Sequence, residues 1–317
     1  MTHSSQVNIL ASLTDQQSVL QVQSSWSAEN LTRPGAFRHL DLEVDESIAT
    51  LWCFMSATDR PSLSPGLLTD LTQAQAAVRA GVSPGQSRTV PLIRTVVTAS
   101  RTPGIYNLGG DLTLFADCIR RQDRERLAEY AYRCVDIVFN HSDGYGNGLT
   151  TVALVQGQAL GGGFEAVLSS HVIVAERSAR FGLPEVMFNL FPGMGAYSYL
   201  SRRLNPAAAE RMILSGKIYT AEELFDLGLV DVLAEDGEGV AAVRRHVREM
   251  DRRHLARRAM RHVCNAVNPV TRDELIRVTD IWVEAALGLA EDDLRRMERL
   301  VAAQVRLRPT QAMIAAE

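Results

Sequence analysis

Two glutamates, Glu165 and Glu185, are the residues of this 317-residue sequence whose surroundings best suit them for chemistry. Glu165 lies in the segment FEAVL and Glu185 in the segment GLPEV, so both carboxyl groups have apolar neighbours. Apolar surroundings tend to raise the pKa of a carboxyl group, which suits it for proton transfer near neutral pH. Each residue also has a purely structural explanation. Glu165 could complement the dipole at a helix N-terminus, and Glu185 could be a buried carboxylate paired with an arginine.

Two glycine-rich turns, at residues 108–110 and 160–162 (both LGG), could supply the partner that such proton transfer needs. Each turn follows a predicted strand and precedes a predicted helix, where unpaired backbone N–H groups can bind an anionic oxygen. Glycine also lets a ligand approach the main chain closely. A tight reversal of the chain without any ligand would explain either turn by itself. Taken together, the two turns and the two carboxyl groups predict an enzyme that stabilises a negatively charged oxygen while it moves protons.

The elements that must position these residues follow from the spacing of apolar side chains. Runs rich in β-branched residues predict strands at residues 47–55, 91–100, 150–156 and 171–176. Helical spacing predicts helices at residues 64–80, 112–141 and 164–170, with a loop at 83–87. After Pro206 the pattern is helical, at residues 220–227, 237–258 and 271–302. The sequence therefore predicts an α/β protein to about residue 204, followed by an all-α C-terminal part.

Composition and charge exclude several classes of function. The formal net charge is −4, so no overall positive field attracts nucleic acid or an anionic membrane. No apolar run approaches the ~18 residues of a membrane span, and residues 1–23 show no basic-then-apolar targeting signal. The four cysteines have no metal-ligand spacing, so we expect no metal. These features predict a soluble, cytoplasmic protein.

Several motifs in order resemble those of the enoyl-CoA hydratase/isomerase (crotonase) superfamily. Residues 155–165 (VQGQALGGGFE) resemble its signature, and residues 107–112 (NLGGDL) look like its first oxyanion-hole turn. Residues 182–185 (GLPE), followed by 191–195 (FPGMG), look like its second motif. Residues 220–231 (TAEELFDLGLVD) resemble the segment that follows the core in this superfamily. The resemblance covers about residues 45–235, so we expect the superfamily fold.

That fold is a spiral of ββα turns with an all-α part for oligomerisation. The resemblance implies a variable extension at residues 1–25, a spiral core at 26–204 and a helical C-terminal part at 205–317. Members of the superfamily usually assemble as trimers or hexamers. We therefore expect a homo-oligomer.

The resemblance also implies the roles of four residues. By the match of motifs, the two oxyanion-hole N–H groups belong to Leu108 and Gly162. Glu165 and Glu185 match the two catalytic glutamates of the hydratase branch of the superfamily. Keeping both glutamates points to adding or removing water across the α,β bond of an acyl thioester. Which glutamate handles which proton is left open by the sequence.

A narrower resemblance is to the RpfF-type synthases of diffusible signal factors. It is carried by residues 107–115 (NLGGDLTLF), 188–198 (FNLFPGMGAYS) and 281–283 (IWV). Such synthases dehydrate a 3-hydroxyacyl chain on acyl carrier protein to the cis-2-enoyl thioester, and then hydrolyse it to a free fatty acid that acts as a quorum signal. The resemblance implies no cofactor beyond the phosphopantetheine of acyl carrier protein, or CoA, that carries the substrate.

Further residues could bind the substrate. Gly109 and Gly110 belong to the first glycine turn, and the large apolar candidates for an acyl pocket are Phe188, Phe191, Met194 and Trp282. A fatty chain needs such apolar walls, although ordinary core packing explains Phe188, Phe191 and Met194 better, and only Trp282 is supported equally by the resemblance. The basic run at residues 244–262 could contact the acidic surface of acyl carrier protein, or could simply be a solvated helix face.

Two other functions compete with signal synthesis. A degradative enoyl-CoA hydratase acting on trans-enoyl-CoA would have the same fold and the same two glutamates. A non-catalytic crotonase-fold protein that binds a partner is a different class of function. The two glutamates and both glycine turns are intact, which favours catalysis. The sequence does not predict the length, branching or unsaturation of the acyl group.

Overall fold

The computed structural model describes residues 31–33, 35–57, 60–81 and 93–306. The predicted extension at residues 1–25 and the predicted loop at 83–87 lie outside the described residues. Within the described ranges, no helix is both long and apolar enough to cross a membrane.

The larger of two β-sheets has six strands. They are β1 (Leu40–Asp45), β2 (Thr50–Met55), β3 (Thr95–Ser100), β5 (Thr150–Val155), β7 (Val172–Glu176) and β10 (Val232–Ala234). Their order across the sheet is β1-β2-β3-β5-β7-β10, and only the β1–β2 pair is antiparallel. All five residues of β7 and five of the six in β5 are buried. This burial explains why the central strands are continuous apolar runs, as is typical of parallel sheets covered on both faces.

The smaller sheet has four short strands. They are β4 (Ile105–Asn107), β6 (Gln158–Leu160), β8 (Arg180–Gly182) and β9 (Ile218–Thr220), in the order β4-β6-β8-β9. Each of β3, β5 and β7 leads directly into a strand of this smaller sheet and then into a helical segment. The chain therefore makes three successive ββα turns, and the predicted α/β spiral is confirmed.

The described helices surround these sheets and form most of the C-terminal part. They are α1 (Pro65–Gly81), α2 (Leu112–Arg121), α3 (Arg124–Ser142), α4 (Gly162–Leu168), α5 (Ala196–Arg203), α6 (Pro206–Ser215), α7 (Ala221–Asp226), α8 (Gly239–Asp251), α9 (His254–Val267), α10 (Arg272–Leu287) and α11 (Glu291–Arg306). The single helix predicted at residues 112–141 is wrong, because Gln122 adopts a left-handed conformation and ends α2. Asp123 then caps α3 by accepting the N–H of Arg126.

The prediction of an all-α C-terminal part is wrong. This part also contains β9, which pairs antiparallel with β8, and β10, which pairs parallel with β7 and completes the larger sheet. Both strands have only three residues, too few to produce a recognisable alternation of apolar and polar side chains. The helical character of the rest of this part is confirmed.

The two glycine turns lie side by side because α4 packs very closely against the end of β4. A Cβ on Gly163 would lie 2.1 Å from the carbonyl oxygen of Asn107. Gly161, at the N-cap of α4, adopts a φ of +52°, which residues with a side chain rarely adopt. Glycine at these two positions therefore allows the close contact that sets the turn at 108–110 against the turn at 160–162.

We predict that Gly163→Ala destabilises the protein by at least about 2 kcal/mol, because a methyl group at this position forces the backbone of α4 and β4 apart. Chemical denaturation measures the change. Gly288→Ala is the matched control, since Gly288 has a φ of −84° and its Cβ would lie 3.4 Å from the nearest atom, the carbonyl oxygen of Ala285. Equal stability of the two variants would contradict the close contact.

Candidate active site

A single cavity of about 290 Å³ contains both glutamates and both glycine turns. Most of its remaining wall is apolar, with major contributions from Leu112, Phe115, Tyr130, Phe188, Met194 and Trp282. Among the described residues, those that line the cavity include no arginine, lysine or histidine. The two carboxyl groups therefore share one cavity, and no cationic side chain in its described lining neutralises them.

Glu165 is held by backbone donors from the start of a neighbouring helix. It lies in the first turn of α4 and is only 2% exposed. Its Oε1 accepts the N–H of Met194 at 2.7 Å and the N–H of Ala196 at 2.9 Å. Burial raises the pKa of Glu165, and these N–H donors act in the opposite direction by stabilising the carboxylate. The arrangement fixes the carboxyl group in place and favours its charged form relative to a buried carboxyl without donors.

Glu185 has fewer partners. It belongs to a short 3-10 helix, Pro184–Phe188, and its Oε2 is buried with no hydrogen-bond partner in the described part of the chain. Burial is the main cause that raises the pKa of Glu185, and the negative charge of Glu165 raises it further. No arginine pairs with it within the described residues, so the structural explanation of Glu185 as half of an ion pair is wrong.

The two carboxyl groups differ in a way that separates their roles. Two backbone N–H groups stabilise Glu165 as a carboxylate, whereas Glu185 has an oxygen without any donor. When the pair holds one proton, that proton therefore resides mainly on Glu185. The pair can then act as a base at one position and as an acid at the other.

The first glycine turn offers a different backbone donor from the one predicted. The N–H of Leu108 donates to the carbonyl oxygen of Pro61 at 2.7 Å, so the assignment of Leu108 to the oxyanion hole is wrong. The N–H of Gly109 donates to Oδ1 of Asn107 at 2.8 Å. The N–H of Gly110 has no acceptor among the described residues. Gly110 therefore replaces Leu108 as the candidate donor of this turn.

The second donor, Gly162, was predicted from the sequence. It is the first residue of α4, so no preceding turn of helix accepts its N–H. A Cβ on Gly162 would lie 3.5 Å from the backbone nitrogen of Gly110, so the two residues are neighbours. Two N–H groups of adjacent turns can thus converge on one anionic oxygen, as an oxyanion hole requires. The role of Gly162 stays a prediction.

Two side chains that the sequence analysis missed hold the first turn in place. Asn107 accepts the N–H of Gly109, a short-range bond typical of asparagine in turns. The Tyr130 hydroxyl donates to the carbonyl oxygen of Leu63 at 2.5 Å and accepts the N–H of Asp111 at 3.0 Å. The position of Asn107 beside the glycines was a usable signal. Tyr130 gave none, because its contact depends on how α3 packs.

Five of the six residues predicted to bind the substrate line the cavity, and acyl binding there stays a prediction. Gly109, Gly110, Phe188, Met194 and Trp282 all line the cavity. Phe191 does not line it, because its side chain packs against the hydrophobic core instead.

Trp282 reaches the pocket from α10 and packs edge-on against Phe115, with ring centroids 5.1 Å apart. A Cβ on Gly193 would lie 2.4 Å from the indole ring, so glycine at 193 is what lets the tryptophan enter.

Asp111 caps a helix and forms an ion pair. Its carboxylate caps α2 by accepting the N–H groups of Thr113 and Leu114. It also pairs with Arg60 at 3.1 Å. These bonds occupy the carboxylate and anchor the chain that follows the first glycine turn.

Comparison with known proteins relates this site to one family. The model of the enoyl-CoA hydratase/isomerase family matches residues 57–287. The mitochondrial methylglutaconyl-CoA hydratase of Rattus norvegicus is 30% identical over 209 residues, which are 66% of this chain and 61% of that protein. The chain thus spans less than two thirds of the length of that relative.

Two further similarities agree with this family. The fatty acid oxidation complex subunit alpha of Pseudomonas syringae is 34% identical over 166 residues, which are 52% of this chain and 21% of that protein. The crystal structure of enoyl-CoA hydratase from Bacillus halodurans has a TM-score of 0.68 at 22% identity, covering 83% of this chain and 100% of that chain. The latter similarity demonstrates a shared fold.

We predict that Glu185→Gln stabilises the protein at alkaline pH. Because burial raises the folded-state pKa of Glu185 above its unfolded value, stability is retained at low pH and lost as the pH rises through the folded-state pKa. Glutamine cannot ionise. The melting temperature of the Glu185→Gln variant should therefore exceed that of the parent by about 2 °C or more at about pH 9, with a much smaller difference at about pH 5.

Thermal melts at both pH values measure this difference. Glu129→Gln is the control, since Glu129 is an exposed residue of α3 and its substitution removes no buried charge. A shift for Glu185→Gln that is the same at both pH values would show that Glu185 does not ionise in a buried environment.

Proposed function

The chain belongs to the enoyl-CoA hydratase/isomerase family, and on that premise we propose that it dehydrates a 3-hydroxyacyl thioester to the cis-2-enoyl thioester. The same site then hydrolyses the thioester to a free cis-2-unsaturated fatty acid, the product of diffusible signal factor synthases. One observation carries the proposal. Two carboxyl groups share an apolar cavity with two neighbouring backbone N–H groups that have no acceptor in the described chain.

The dehydration step uses the oxyanion hole and the two glutamates together. The thioester oxygen accepts hydrogen bonds from Gly110 and Gly162, which stabilise the enolate formed when C2 loses its proton. A Cβ on Gly161 would lie 2.7 Å from Oε1 of Glu185, so this carboxyl group lies beside the second glycine turn. With the thioester oxygen in the hole, we place C2 next to Glu185. Dehydration starts from the less populated state of the pair, in which Glu165 carries the proton and Glu185 is a carboxylate, so that Glu185 takes the C2 proton. Glu165 protonates the C3 hydroxyl, which leaves as water.

Hydrolysis follows from the protonation state that dehydration leaves. Glu185 now carries a proton and Glu165 is a carboxylate, the arrangement that its two N–H donors favour. Glu165 takes a proton from a water molecule, whose oxygen attacks the thioester carbon. The resulting oxyanion occupies the same hole, and Glu185 protonates the departing thiol sulfur. The C–S bond breaks, the acid is released, and the pair returns to the state from which dehydration starts.

The wall of the cavity favours a hydrocarbon acyl group. A methylglutaconyl group, named for the rat relative, carries a free carboxylate in addition to its thioester. Burying that charge without a partner is unfavourable, and no basic side chain among the described residues lines this cavity. An alkyl chain meets only apolar contacts with residues such as Phe115, Phe188 and Trp282.

The carrier and the assembly complete the proposal. We propose that the substrate arrives on the phosphopantetheine of acyl carrier protein, with CoA as the other possible carrier, and that no further cofactor is required. We also propose that the protein acts as a cytoplasmic homo-oligomer, a trimer or a hexamer.

A trans-enoyl-CoA hydratase is the second candidate, and the names of the rat and Bacillus halodurans proteins favour it. The same pair would run in the opposite direction, with Glu165 activating water and Glu185 protonating C2. The two candidates therefore differ in product and carrier rather than in the residues used.

We expect purified protein to convert 3-hydroxyacyl carrier protein to free cis-2-enoic acid, because one site performs both dehydration and hydrolysis. Mass spectrometry of the released acid, with comparison to cis and trans standards, measures the product. Trans-2-enoyl-CoA is the parallel substrate. If the protein only hydrates trans-2-enoyl-CoA reversibly and releases no free acid, the hydratase function is correct and signal synthesis is not.

We predict that Glu165→Gln and Glu185→Gln each lower turnover at least about 100-fold, since each removes one proton-transfer group. Supplying the cis-2-enoyl thioester directly tests hydrolysis apart from dehydration, and both variants should be impaired there as well. Glu129→Gln serves as the control with parent activity. Near-full activity of either active-site variant would overturn the two-carboxylate mechanism.

A further inference from the structure

A second cavity, of about 50 Å³, lies in the core beside the one that holds the glutamates. It lies between α1, α3 and the inner face of the larger sheet. Its wall is largely aliphatic, including Leu71, Ala74, Val78, Val96, Ile137 and Val138, and it also contains the rings of Tyr106 and Tyr145. We call it the inner cavity, and the one that contains the glutamates the outer cavity.

One face of α3 forms a continuous wall along both cavities. Tyr130, Ala131 and Cys134 line the outer cavity, and Cys134, Ile137, Val138 and His141 line the inner one. These residues recur at three- and four-residue intervals, so they share one side of the helix. With a rise of about 1.5 Å per residue, this wall extends about 15 Å from Ala131 to His141.

Met194 and Cys134 line both cavities and stand between them. The backbone of Met194 is fixed, because its N–H donates to Oε1 of Glu165. Its side chain is unbranched and flexible, and its sulfur packs 2.7 Å from where a Cβ on Gly162 would lie. A change of rotamer of the thioether would therefore leave in place the backbone donor that holds Glu165.

The wall of the inner cavity is uncharged. Nδ1 of His141 is hydrogen-bonded to Oγ of Ser169, whose hydroxyl donates to the carbonyl oxygen of Ala166. Burial lowers the pKa of His141 to about 4, so its ring is neutral at physiological pH. The Gln75 amide donates to the carbonyl oxygen of Ile137. His141 Nε2 has no partner in the described chain but carries no charge.

We propose that the inner cavity is a binding subsite for the distal methylenes of a long, unbranched acyl chain, which enters from the outer cavity between Met194 and Cys134. This inference rests on the proposed function and names its substrate class. The thioester stays at Gly110 and Gly162, the first carbons face the two glutamates, and the tail follows the wall formed by α3. A narrow, uncharged, apolar space of this kind accepts hydrocarbon and excludes a terminal carboxylate.

Filling the inner cavity tests this proposal. Ala74 lines only the inner cavity and is 5% exposed, so Ala74→Phe places a ring where the tail would lie. The ratio of kcat/KM for dodecanoyl-length to butanoyl-length 3-hydroxyacyl thioesters should fall at least about tenfold, and Ala74→Leu should give a smaller fall. Ala76→Phe is the matched control on the same helix, since Ala76 lines neither cavity. A ratio unchanged in Ala74→Phe would overturn the proposal.

A binding measurement on the parent protein is independent of both folding of the variants and turnover. The δ1 methyl group of Ile137, a residue that lines only the inner cavity, is labelled for NMR. A non-hydroxylated dodecanoyl pantetheine thioester should shift its resonance, and the butanoyl thioester should not. Identical spectra with both ligands would exclude the subsite. A dodecanoyl-specific shift in a protein that releases no cis-2-enoic acid would keep the subsite and reject the proposed reaction.

Discussion

The burial of two carboxyl groups in one apolar cavity is the constraint on which the rest of the site depends. Each loses hydration, and each raises the free energy of ionising the other. Backbone donors from the start of α5 relieve Glu165, while Glu185 keeps an oxygen without a donor. This asymmetry assigns charge to one group and the proton to the other. A cation in the wall would ionise both and abolish the difference.

The proposed oxyanion hole depends on the main chain rather than on side chains. Its two candidate N–H groups become neighbours because Gly163 allows α4 to approach the end of β4. The supporting bonds from Asn107 and Tyr130 act on the first turn only. Precision in this site therefore comes from strand–helix packing, which a substitution far from the reacting atoms can disturb.

The sequence predicts the spiral, and it predicts that the two glutamates and five of the six substrate-binding candidates lie together, because these depend on side-chain type and motif order. It does not predict which N–H of the first turn is available. That depends on the acceptor at Pro61 for Leu108 and on the φ of +95° at Gly109. The break at Gln122 was missed for a similar reason, since a left-handed glutamine has no sequence signal comparable to glycine. The prediction that Phe191 lines the pocket was wrong, because a pattern of aromatic residues does not distinguish a pocket wall from the hydrophobic core.

Trp282 makes completion of the pocket depend on the C-terminal helices. Trp282 from α10 and Leu300 from α11 both line the outer cavity, and Arg120 of α2 forms ion pairs with Glu291 and Glu298 of α11. During synthesis on the ribosome, the glutamates and glycine turns emerge well before these two helices. A nascent chain can thus form the spiral while its pocket is still open to water, and the wall formed by α10 and α11 closes the pocket last.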